Sequence, residues 1–169
     1  MIELSISTMP TVRRMKESDL AAAAAVHAAA FPRQGHSLKW LECSLGAFPK
    51  TQCFVAEREG RIVGVALWTE KSGFRAEAVL ELEQIAVQPE EQGKGIGTAL
   101  IVESLPAVES TIKGRGARLK HILVNTRTDN HAQRLYARLL GAKVEAVIPC
   151  LFSGDEAYMV ARDFQGVRA

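Results

Sequence analysis

The sequence predicts an α/β (α+β) fold, a mixed central β-sheet of about six to seven strands flanked by four helices. Three observations carry this expectation. Alternating apolar runs at residues 52–57, 61–69 and 77–87, separated by short polar turns, form the pattern of an antiparallel meander. Gly93, Gly95 and Gly97 follow the third run, and a helical apolar pattern takes over at once. The chain then repeats strand and helix before two closing strands. A meander followed by strand–helix–strand–helix places helices on both faces of a mixed sheet.

In chain order, residues 1–10 are weakly patterned and read as an N-terminal arm, and residues 11–15 as a short strand. Ser18 is suited to cap an alanine-rich helix over residues 20–30, which must end before Pro32. A loop then leads to a shorter helix at 37–45. The first two meander strands flank Arg58-Glu59-Gly60, a hairpin signal. A helix over 97–113 contains Pro106, which is expected to kink or split it. Residues 119–126 form the next strand. Ala132, Leu135, Tyr136, Leu139 and Leu140 recur at helical spacing, and residues 142–148 and 156–162 close the sheet around a turn at Ser153-Gly154-Asp155. A chain of 169 residues without linker or repeat reads as a single domain, 1–169.

The composition narrows the function. With 47% hydrophobic and 24% charged residues the chain is of ordinary globular type, and a net charge of +2 gives no bulk field for nucleic acid or membrane. Cys43, Cys53 and Cys150 are an odd number without CxxC spacing, and His27, His36, His121 and His131 lack metal-ligand spacing. No metal is expected, and the cysteines read as small buried apolar residues. With no stretch near the ~20 apolar residues of a membrane span, the expected setting is the cytoplasm. Lys113, Arg115, Arg118 and Lys120 cluster without interleaved aromatics, the mark of a solvated loop rather than of a nucleic-acid surface.

The chemistry gathers around LELEQIAVQPEEQGKGIGTALI, residues 80–101. Strand, glycine turn and helix in succession aim backbone N–H groups and the positive helix end at one point, which suits a phosphate. A dinucleotide fingerprint would need GxGxxG between parallel strands; here the spacing is GxGxG and the flanking strands look antiparallel. A P-loop fails as well, since Gly95 follows Gly93-Lys94 where Ser or Thr is required. What remains is Gln92-x-x-Gly95-x-Gly97 at a strand–helix junction. Lys94 reads equally as a phosphate contact or a solvated side chain.

This stretch resembles the signature of the GCN5-related N-acetyltransferase (GNAT) superfamily, and the order of elements over residues 11–162 is similar to that family's. The resemblance implies a GNAT-like acyl-CoA N-acyltransferase fold. It also implies acetyl-CoA as cofactor, its pyrophosphate held by the backbone of Gly93, Lys94, Gly95, Ile96, Gly97 and Thr98 next to Gln92, and its pantetheine lying along Ile85, Ala86 and Val87. NTRTDNHAQRLYARLLGAKV (125–144) resembles the family's second block. By that resemblance Asn130 contacts the cofactor and Tyr136 protonates the departing thiolate. Asn130 stands six residues before Tyr136 where the family has seven, which puts Asp129 in the equivalent place. On the residues alone, Asn130 and Gln133 also read as a capping-box variant, and Tyr136 as a core tyrosine.

An amine nucleophile must lose a proton, and Glu81 and Glu83, alternating on the face expected to carry Ile85 and Val87, are the candidate bases. Glu83 is nearer the site, while Glu81 matches the base of the family's histone-modifying branch. The expected activity is acetyl transfer to a primary amine of a small molecule or peptide by direct attack in a ternary complex. The alternative is a non-catalytic acyl-CoA sensor or assembly module. Loops 31–39 and 149–156 are expected to shape the acceptor site. No nucleic-acid or membrane partner is expected, and a homodimer is common in proteins of this kind.

Overall fold

In the computed structural model of the chain, which describes residues 9–168, seven strands form one sheet. The elements are β1 (Thr11–Arg14), α1 (Leu20–Ala30), α2 (Ser37–Gly46), β2 (Thr51–Arg58), β3 (Arg61–Glu70), β4 (Glu77–Val87), α3 (Ile96–Gly114), β5 (Arg118–Arg127), α4 (Gln133–Leu140), β6 (Lys143–Ile148) and β7 (Glu156–Ala161). Single 3-10 turns precede α1 and follow β4. Residues 1–8, most of the expected arm, lie outside the described residues.

The sheet order is β1-β2-β3-β4-β5-β7-β6, and every neighbouring pair is antiparallel except β4 and β5. The expectation of antiparallel strands flanking the glycine turn is therefore corrected: β4, α3 and β5 form a parallel β–α–β crossover. Alternation along each strand sorts the side chains onto two faces. On one face Val55, Val65, Leu67 and Ala86 pack with Ala23, Ala24 and Val26 of α1 and Leu41 of α2. On the other, Phe54, Trp68, Leu80, Leu82, Ile122 and Val124 pack with Ile101, Leu105 and Val108 of α3 and Leu139 and Leu140 of α4.

Three local expectations change. Ser18 is not a cap, because it lies inside the 3-10 turn at Glu17–Asp19. The start of α1 is organised by Asp19, whose carboxylate accepts from the backbone N–H of Lys16 (2.8 Å) and from Arg13 (2.7 Å). Pro106 does not split α3, which runs continuously through it. Pro106 and Val102, whose carbonyl loses its donor, both lie on the exposed side, where water replaces the lost bond. Cys43 and Cys150 are exposed; only Cys53 is a buried core thiol, pushed up to about 12 by desolvation.

Candidate active site

The pairing of β4 with β5 stops short of the end of both strands. The last matched residues are Leu82 and Val124. Beyond them Gln84 to Val87 pair only with β3, and Asn125 to Arg127 only with β7. Two parallel strands that separate at their C-terminal ends leave a fork whose backbone edges have lost their ladder partners, and backbone polar groups require one.

A β-bulge sits at the root of this fork. Trp68 lies opposite Leu82 and Leu67 opposite Gln84, so Glu83 is the extra residue of β4. A one-residue insertion reverses the facing of everything after it. Before the bulge Leu80 and Leu82 face the α3 side. After it Ile85 and Val87 do, packed beside Ile96 and Leu100, while Ala86 turns under α1. Glu81 and Glu83 therefore do not share a face with Ile85 and Val87 as the alternation implied. They lie on the α1/α2 side.

The two acids have different partners there. Glu83 accepts a 2.6 Å hydrogen bond from Thr69, which is itself 3.1 Å from Thr51. Glu81 forms an ion pair with Lys71 at 2.6 Å, and the carboxylate keeps the Lys71 ammonium above its ordinary range.

The glycine turn closes the open end of the fork. Gly93 and Gly95 take φ of 76° and 82°, a conformation glycine adopts without penalty. Gly95 is the residue before the first turn of α3, and the first backbone bond there is Ala99 N–H to the Gly95 carbonyl. Among the described residues, the N–H groups of Gly93, Lys94, Gly95, Ile96, Gly97 and Thr98 have no hydrogen-bond acceptor. Six consecutive free donors at a helix N-terminus make a preformed anion cradle. The turn is held against β3 because residue 64 is glycine: a Cβ there would lie 2.9 Å from both Ile96 and Leu100. The Gln92 amide donates to the Val87 carbonyl (3.2 Å), tying the turn to the end of β4. Lys94 lies 3.4 Å from Glu91, a carboxylate also held by Arg58 at 3.0 Å.

On α4, Tyr136 is 4% exposed, and burial raises its hydroxyl to about 12. It packs in the core between the sheet and α3, and its hydroxyl has no hydrogen-bond partner among the described residues. Asn130 accepts from the Ala132 N–H (2.9 Å) and donates to Thr126 (2.9 Å), so it fixes the entry to α4. The reciprocal capping box with Gln133 does not form, since the Gln133 amide donates to the carbonyls of Arg127 and Thr128. Asp129 is engaged by Arg127.

The structure brings together groups that the sequence did not nominate. His27, 1% exposed, lies 2.8 Å from Gln84 through Nε2 and 2.8 Å from Ser37 through Nδ1. The Gln84 carbonyl oxygen only accepts, so Nε2 carries the hydrogen. The same oxygen accepts from Trp40 Nε1 (2.8 Å), and the Gln84 amide donates to Gln34 (2.9 Å). One side chain just past the bulge thus fastens α1, the α1–α2 loop and α2 over the fork. The two loops expected to border the site also meet, Arg33 donating to Ser153 at 3.0 Å. Gln84 was hidden because its value lies in the facing reversal, which no residue type announces. The basic cluster after α3 is largely neutralised: Arg115 pairs with Glu70, and Arg118 and Lys120 with Glu77.

A model of the acetyltransferase (GNAT) domain matches residues 49–139, which span the meander, the fork, the glycine turn and most of α4. The chain belongs to the GNAT acetyltransferase family. No curated protein matches it. Among solved structures, Ard1 from Thermoplasma volcanium shares 17% identity and a TM-score of 0.71, over 96% of this chain and 99% of that one. The ribosomal-protein-S18-alanine N-acetyltransferase from Escherichia coli shares 20% identity at TM-score 0.68, over 94% and 96%. The protein yncA from Salmonella typhimurium, solved with its cofactor acetyl-CoA, shares 21% at TM-score 0.66, over 92% and 94%. At such identities the likeness is one of fold, and among the described residues this GNAT chain has a mixed seven-stranded sheet with four α-helices.

Proposed function

We propose that this GNAT chain is an acetyl-CoA-dependent N-acetyltransferase acting on a primary amine of a small molecule or peptide, by direct attack in a ternary complex. The observation that carries the reading is the run of six unpaired N–H groups, 93 to 98, at the open end of the β4/β5 fork. The cradle suits a pyrophosphate, and the unpaired strand edge suits an amide-bearing arm, the two parts of a CoA thioester. Charge-assisted hydrogen bonds of this kind contribute roughly 1.5–3 kcal/mol each.

Acetyl-CoA supplies an acetyl group activated as a thioester, transferred as the N–C bond forms and the C–S bond breaks. The backbone of Gly93 to Thr98 grips the pyrophosphate, with Gln92 and Lys94 beside it and Asn130 at the entry to α4. The backbone edge of Ile85, Ala86 and Val87 orients the pantetheine, and an N–H near Val87 polarises the thioester carbonyl oxygen. A lysine-like amine has a pKa of ~10.4, so its deprotonation at neutral pH costs roughly 4.6 kcal/mol. Glu83 takes that proton at its carboxylate, directly or through a water, held in place by the Thr69 hydroxyl; Glu81, tied to Lys71, is the more distant acid. Tyr136 remains protonated throughout the physiological range and donates to the departing sulfur.

The test is release of free CoA across amino acids, polyamines, aminoglycosides and peptide N-termini, with Tyr136→Phe and Glu83→Gln beside the parent. Turnover that both substitutions depress is the expected result. Tight acetyl-CoA binding without turnover on any amine would move the chain to the sensor class.

A further inference from the structure

The acceptor side of the fork carries two hydrogen-bond acceptors that the protein leaves without donors. Asn125 is the first residue of β5 beyond its last pairing with β4. Its neighbours Val124 and Thr126 alternate to the α3/α4 side, so its carboxamide lies on the α1/α2 side, the side of Glu81 and Glu83. The Asn125 carboxamide oxygen is buried and has no hydrogen-bond partner. Glu156, at the start of β7, faces the same side, because it is paired directly with Arg127 and Asn125 is paired with Tyr158. It is 5% exposed and makes no hydrogen bond or ion pair among the described residues. Arg127, the cation nearest to hand, is committed elsewhere: Nε and Nη2 bond Asp129, and Nη1 bonds Ser153. Burial accordingly lifts the Glu156 carboxyl above its usual range, with Arg127 opposing only in part.

A buried acceptor without a donor is costly, and the Asn125 oxygen beside a carboxylate that no cation pairs calls for a ligand that brings donors. A carboxylate and a carboxamide oxygen only accept here, so the donors are N–H or O–H groups, and a carboxylate favours a cation. Positions 125 and 156 are diagonal neighbours on one face of an antiparallel pair, about 7–8 Å apart. Two nitrogens joined by four methylenes lie roughly 6 Å apart when extended, and a hydrogen bond at each end covers the remainder.

We propose that Asn125 and Glu156 form the acceptor subsite and that the acceptor is a diamine or polyamine. Asn125 takes an N–H of the nucleophilic amine at the root of the fork, beside Glu83. Glu156 takes the second, cationic nitrogen. This inference rests on the acetyltransferase reading but adds a substrate class to it, and it places two residues that neither the glycine turn nor the bulge accounts for.

The experiment compares putrescine with butylamine, which lacks the second nitrogen, and measures putrescine binding to the CoA-loaded protein by calorimetry. The parent should favour putrescine over butylamine at least tenfold in kcat/KM. Glu156→Gln, isosteric and uncharged, should narrow that ratio to within about threefold and weaken putrescine binding about tenfold or more. Asn125→Leu should weaken putrescine binding similarly, and Asn125→Asp, which keeps an acceptor oxygen in place, should restore it. Acetyl-CoA affinity should be the same in all four proteins. Equal use of butylamine and putrescine by the parent, or no putrescine binding to a protein that still binds acetyl-CoA, overturns the subsite and leaves the acetyltransferase reading standing. A loss of acetyl-CoA affinity in Asn125→Leu would assign Asn125 to the donor and overturn it too. A parent that binds no acetyl-CoA fails the function itself.

Discussion

The two halves of β4 are one continuous strand with opposite duties. Residues 77–82 are paired with β5 along one edge and, at 80–82, with β3 along the other, and send Ala78, Leu80 and Leu82 into the largest core cluster. Residues 84–87 keep one partner strand and leave the other edge open. Glu83 marks the border, as the bulged residue where the facing reverses. Stability and site are separated within a single strand by one inserted residue: the closed half carries packing, and the open half carries unpaired backbone, with Glu83 at its border.

That division is open to attack from both sides. The largest effect falls on chemistry. Glu83→Gln removes a proton acceptor at the border and should lower kcat/KM by roughly 10²–10⁴-fold while thermal stability stays near the parent's. An equal loss of stability would mean that the carboxylate serves the fold.

In the closed half, Leu82→Ala should destabilise by about 2–5 kcal/mol, read as a shift of the urea midpoint. The acetyl-CoA dissociation constant of the folded protein should stay the same. In the open half the pattern inverts. Gly95→Val forces a β-branched residue into a φ of 82°, which strains the turn by about 1–3 kcal/mol and misaligns the cradle. Calorimetry should show acetyl-CoA affinity falling about tenfold or more.

The smallest effect has a distinctive sign. Glu156 has a folded-state pKa above its unfolded value, so the fold favours its protonated form. That contribution is fully present below the unfolded pKa near 4.5 and is lost as pH rises through the folded value. Glu156→Gln should therefore match the parent's melting temperature at pH 4 and exceed it slightly at pH 8. A difference independent of pH would contradict the cause assigned to the shift.

Much of the architecture was legible because it follows local rules. The bounds of α1 and β4 are those that the apolar periodicity and Pro32 imply, and the glycine turn was visible from spacing alone. The facing of the acids was not legible. Period-2 alternation assumes an unbroken ladder, and the bulge at Glu83 arises from register with β3, a long-range property. The parallel crossover was missed for a similar reason: a meander's local signals say nothing about which strand pairs with β5. Asn125 and Glu156 were invisible because an orphaned acceptor is defined by what surrounds it. His27 and Trp40 carry no shared spacing in the sequence, and only Gln84 joins them.

We propose that the open half of β4 and the glycine turn bind the CoA moiety. Amide hydrogen exchange, with and without acetyl-CoA, tests it most directly. Amides of residues 80–82, paired with β3 on one side and β5 on the other, should be protected in both states. Those of 93–98, and those on the open edge of 84–87, should exchange rapidly in the free protein and slow by an order of magnitude or more when acetyl-CoA is bound. Bound acetyl-CoA that leaves 93–98 unprotected, or that slows exchange only elsewhere, would contradict the account.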